Sequence, residues 1–164
     1  MSYQLFKTEI LAKLNKTHTS KTKTAGILAT AYTNLILRHF EVLTGGGVFS
    51  MSSTKTQPLK MQIQSVFMQN YTSHNRVNLW SQLSPGIMTF WTGQICMGTT
   101  GIVAVTSPGT FMGPPIPESN NPAIWIDMFS YVSAIHLKTL VGTYTNYVTG
   151  ITVPWSGTLL QTFP

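Results

Sequence analysis

Residues able to do acid–base or metal chemistry are few and scattered. The 164-residue chain holds four acids, Glu9, Glu41, Glu118 and Asp127, and four histidines, His18, His39, His74 and His136. Catalysis by paired carboxylates needs two of them to meet, and no local spacing brings two together. No histidine lies three or four residues from another, so no helical metal pair forms. Asp127 and His136 stand nine residues apart, about two and a half helical turns. A small hydrolase built on them would need a tertiary meeting, and no Gly-x-Ser-x-Gly turn supports one. His136, set among apolar residues, reads as a hydrogen-bonded core or interface group. Cys96 is the single cysteine, which excludes an internal disulfide and a cysteine-based zinc site. Gly45–Gly47 is no phosphate cradle, because no Gly-Lys-Ser/Thr follows it. The expectation is a protein without catalytic residues, metal or cofactor.

The elements that would position these residues read as mainly helical. Leu5, Phe6, Ile10 and Leu14 recur at helical spacing over Tyr3–Leu14. Residues 15–24 are a Thr/Lys/Ser linker. Ile27, Leu28, Ala31, Leu35, Ile36 and Leu43 predict a long helix over Thr24–Leu43, ended by the glycine run. Val48–Gln57 reads as a loop. Pro58 then opens a helix to about Asn70, with a strand as the alternative. Ser84-Pro85 predicts another helix over Gly86–Met97. Gly98–Asn121 is loop-like, with one short strand over Ile102–Val105. Asn121-Pro122 opens the last helix, to about Val141. The fold expected is therefore a small, mainly α domain with long Thr/Gly/Pro-rich loops. Its domain would span residues 1–141, with a basic part over 1–60, and an extended apolar arm would follow over 142–164.

Composition narrows the function further. Charged residues make up 9% of the chain, against roughly a quarter in an ordinary soluble domain. Hydroxyls replace them, with 24 Thr and 14 Ser. Neutral hydroxyls can be buried against protein without the desolvation cost of an ion. This suits a subunit that lives inside an assembly. The whole net charge of +6 falls in the first 60 residues. Lys13, Lys16, Lys21 and Lys23 are candidates for contact with an anion or nucleic acid. They lack interleaved aromatics, so any such contact is to phosphates and carries no sequence information. The uncharged stretch Ile87–Val105 is broken by Gln94, threonines and glycines, so a membrane-spanning helix is not expected.

A basic helical beginning, a nearly chargeless Thr/Gly/Pro/aromatic middle and an apolar extended end form a distinctive texture. Thr99-Thr100-Gly101-Ile102-Val103-Ala104-Val105 and His136-Leu137-Lys138-Thr139-Leu140-Val141-Gly142-Thr143, leading to Trp155-Ser156-Gly157-Thr158, carry it. In this the chain resembles small structural proteins of tailed-bacteriophage virions. The resemblance implies a non-enzymatic head, neck, tail or baseplate subunit, located in the virion, whose partners are copies of itself and other virion proteins. The alternative is a membrane-associated protein, holin-like or peripheral. Trp125, Phe129, Val153, Trp155, Leu159, Leu160 and Phe163 are the expected partner-binding anchors, as large apolar groups near the chain's end.

Overall fold

Glycine and proline set the boundaries of most elements. The computed structural model describes residues 40–42, 47–51, 54–73, 79–115 and 122–157, with a few further positions between 8 and 30. In chain order the elements are β1 (Phe40–Val42), β2 (Gly47–Met51), α1 (Thr56–Ser73), α2 (Leu79–Trp91), β3 (Ile95–Gly98), β4 (Gly101–Ser107), α3 (Pro122–Lys138), β5 (Val141–Asn146) and β6 (Thr152–Ser156). The strands form one six-stranded antiparallel sheet in the order β1-β2-β3-β4-β5-β6, each paired with its neighbour in sequence.

This is an α+β fold, and it corrects the mainly α expectation. The helix expected over Thr24–Leu43 is overrun at its end by β1, and β2 occupies part of the expected loop Val48–Gln57. The two strands on either side of the glycine run pair with each other antiparallel. A glycine turn flanked by Phe40, Val42, Val48 and Phe49 has the chemistry of a strand pair. Gly26, Ile27, Ala29 and Thr30 are helical as expected, and Ala29 is buried in the core. The helix expected over Tyr3–Leu14 lies mostly outside the described residues.

The helix placed at Gly86–Met97 is also displaced. It begins at Leu79, runs through Pro85 and stops at Trp91. A proline inside a helix costs about 3 kcal/mol. Leu79, Trp80 and Leu83 before it, and Ile87, Phe90 and Trp91 after it, are all buried. At roughly 1.5–3 kcal/mol per large side chain, that burial outweighs the missing bond. Gly93 takes φ +67° and ends the helix, a conformation that favours glycine. Gln94 then starts the chain into β3, its backbone carbonyl accepting from Val105 N–H at 2.8 Å.

α1, α3 and β4 follow the sequence reading closely. Pro58 sits in the first turn of α1, where its missing donor costs little. Pro122 is the first residue of α3. β4 contains the expected Ile102–Val105 and extends it at both ends. Within the span of the expected arm, β5 and β6 form a hairpin at one edge of the sheet.

All three of these helices lie on one face of the sheet. Leu59, Ile63, Phe90, Trp91, Phe129, Val132 and Leu137 join Cys96, Val103, Val105, Tyr144 and Trp155 of the strands in a single core. Residues 108–115 have no regular structure yet are tied down. Phe111 is buried, its ring meets Trp80 and His136 edge-on, and Trp80 Nε1 donates to the Pro114 carbonyl at 2.8 Å.

Candidate interaction surface

Strand side chains alternate between faces, so register divides the sheet into two surfaces. Toward the helices point Cys96, Val103, Val105, Tyr144 and Trp155, all buried. On the other surface, Ile95, Ala104, Thr143 and Pro154 form one row across β3–β6, and Met97, Ile102, Thr145 and Thr152 form the next. Ile95 and Met97 are each 51% exposed, and Val141 is also exposed. No residue of β2–β6 is charged. An ordinary one-sided antiparallel sheet turns polar residues to water on its open face. This one turns Ile, Met, Val, Pro and Thr.

The hydroxyls on this surface are partly satisfied among themselves. Thr145 Oγ1 and Thr152 Oγ1 lie 2.8 Å apart across β5–β6, and Thr106 Oγ1 donates to the Val141 carbonyl. Hydroxyls already paired cost less to bury.

The β5–β6 turn continues the surface as a rigid apolar tip. Val148 is 91% exposed, with Tyr147 and Ile151 beside it. Asn146 Oδ1 accepts from Val148 N–H at 2.8 Å and Thr149 N–H at 3.1 Å. Asn146 N–H donates to the Ile151 carbonyl, Tyr147 N–H to the Thr100 carbonyl and Gly150 N–H to the Asn146 carbonyl. Ile151 N–H reaches Thr149 Oγ1. Every backbone donor from 146 to 151 is therefore satisfied inside the protein, so covering the tip strands none of them.

The sheet edge at β6 is interrupted by a proline. Asn146 N–H bonds the Ile151 carbonyl and Gly157 N–H bonds the Leu140 carbonyl. Counting by twos along the ladder, Tyr144–Val153 and Gly142–Trp155 are the bonded pairs, and Pro154 faces Thr143 in a non-bonded one. The nitrogen of Pro154 thus points to the free edge, where it removes a donor. Proline on an edge blocks pairing with another chain.

Among the described residues the chemistry-bearing side chains do not assemble. α3 runs unbroken from Pro122 to Lys138, so Asp127 and His136 lie roughly 13 Å apart along its axis at 1.5 Å per residue. His136 is buried. Its Nε2 lies 2.8 Å from the Pro108 carbonyl, which can only accept, so Nε2 carries the proton. Nδ1 is buried without a partner. Burial lowers the His136 pKa from 6.5 to about 4, opposed by the Pro108 bond. Burial also pushes the Cys96 thiol up to about 12, which keeps it protonated and unreactive. Among the described residues no three His, Cys, Asp or Glu side chains gather as a metal site, and no helix is long and apolar enough to cross a membrane. A shallow cleft of about 290 Å³ between α1 and α2 is lined mainly by Pro58, Leu59, Gln62, Pro85, Gly86 and Phe90.

The expected anchors divide. Phe129 and Trp155 are 2% and 1% exposed, inside the protein's own core. Val153, on edge strand β6, is partly exposed. Leu159, Leu160, Phe163 and the side chain of Trp125 fall outside the described residues, as do Lys13, Lys16 and Lys21. Lys23 is an exposed helical position. Sequence reasoning missed Ile95, Met97, Ile102 and Val141. Alternation of exposed and buried positions over Ile95–Gly98 is clear in the structure, but all four residue types there are neutral, so polarity does not betray it.

No protein-family model, curated protein or solved structure matches the chain.

Proposed function

We propose that the chain is a non-enzymatic structural subunit of a virion, of the kind found in tailed bacteriophages, that works by packing against neighbouring subunits. One observation carries the reading: the sheet surface away from the helices is uncharged, apolar and hydroxyl-lined over β3–β6. Soluble monomers rarely keep contiguous apolar surface in water, and such surface marks contact with a partner. Self-paired threonines and the donor-satisfied tip lower the cost of covering it. The charge-poor composition extends the same logic to the chain as a whole.

The test is to tag the chain in its source and separate large particles by density gradient. The reading expects the chain to sediment with particles and to be lost from them when Ile95 and Met97 are both changed to Lys. A wild-type chain that stays at the top of the gradient contradicts it. The exposed Tyr147, Val148 and Ile151 also fit a peripheral membrane contact, and flotation with lipid vesicles separates that reading from the first.

A further inference from the structure

We propose that the occupant of the open sheet face is a second copy of this chain, stacked face to face as a two-fold symmetric β-sandwich. The inference rests on the subunit reading above and names its partner. Charge is the first argument. The chain carries a net charge of +6, so two copies repel wherever their cations face each other. The described cations Lys23, Lys55, Lys60 and Lys138 lie on helices or the turn leading into one, none is on a strand, and β2–β6 are neutral. Among the described residues, the sheet surface is where two such copies can approach without stacking like charges.

Area is the second argument. With strands about 4.8 Å apart and about 3.4 Å per residue, the six-stranded face covers roughly 500 Å² in plan. The half-exposed side chains of Ile95 and Met97 stand on this plan area and add to it; a stable interface takes roughly 800 Å² per partner. Edge pairing at β6 is disfavoured, because Pro154 removes the middle outward donor of that strand. Two antiparallel sheets with apolar faces pack at about 10 Å in a sandwich.

Sedimentation velocity on the purified full chain, from low to high micromolar, tests this. Wild type should move from 18.1 kDa to twice that mass. Ile95→Lys and Met97→Lys should each raise the dimer dissociation constant by at least about a hundredfold, because symmetry buries the new charge twice. Both positions are half exposed, so circular dichroism should show folded variants. A wild type that stays monomeric throughout, or a dimer indifferent to both lysines, overturns the proposal. A monomeric wild type that still enters particles removes the second copy while leaving the subunit reading intact. Failure to enter particles as well removes both.

Discussion

Acid should weaken this fold through one residue, His136. Its ring is buried against Trp91 and Phe111, Nε2–H donates to the Pro108 carbonyl, and Nδ1 meets no acceptor. Protonation would place a charge and an unpaired donor in the core. Burial accordingly lowers the pKa from 6.5 to about 4 in the folded chain. The unfolded chain takes up the proton near pH 6.5 and the folded chain resists until about pH 4, so stability is full above about 6.5 and falls as pH drops through that window. At 1.36 kcal/mol per unit, the loss reaches about 3 kcal/mol by pH 4. Urea unfolding followed by tryptophan fluorescence, repeated from about pH 7 to about pH 4, measures it. The chain has only four acids, and carboxyls ordinarily titrate around pH 4, so their background above pH 5 is small. The remaining histidines contribute equally to wild type and His136→Phe, and the difference in slope isolates His136. Equal slopes for the two proteins between about pH 6.5 and 5 would refute the reasoning.

Other consequences follow from close contacts and turns. Gly142→Ala drives a Cβ into the Ala104 carbonyl oxygen, a backbone atom; we expect about 3 kcal/mol of destabilisation, read as a lowered urea midpoint. Asn146→Ala removes the acceptor shared by Val148 and Thr149 N–H; those two amides should lose exchange protection, with about 1–2 kcal/mol lost overall. Pro154→Thr restores an outward donor on the β6 edge; it should promote edge pairing, seen as higher oligomers by light scattering, while a variant as dispersed as wild type would show that the proline guards nothing.

The parts of the fold legible in sequence are those with strong local signals. Pro58 and Pro122 marked helix starts, and Leu59, Ile63 and Val66 kept helical spacing through α1. Strands were hidden for two reasons. β4 is apolar on both faces over Ile102–Val105, so its alternation does not appear as polarity. Val42 and Val48 lie against glycines that serve equally well as a helix end or a hairpin turn, and only pairing with β3 decides between them. Pro85 misplaced α2 because proline usually opens a helix, whereas here burial on both sides carries the helix through it. Trp155 and Phe129 have the size and hydrophobicity of partner-binding anchors yet are buried in the core, because those properties do not say which side of a sheet or helix a residue faces. The open surface followed only once register was known: Met97 is exposed and Cys96 buried, one position apart.

That same pair offers the most direct measurement of the central claim. Met97→Cys adds an exposed thiol, while Cys96 is buried with its pKa pushed up to about 12 and stays silent. Maleimide labelling of the variant should be fast in dilute chain and slow down as copies associate or enter particles. A labelling rate that is the same in dilute chain, in concentrated chain and in particles would contradict burial of the sheet face.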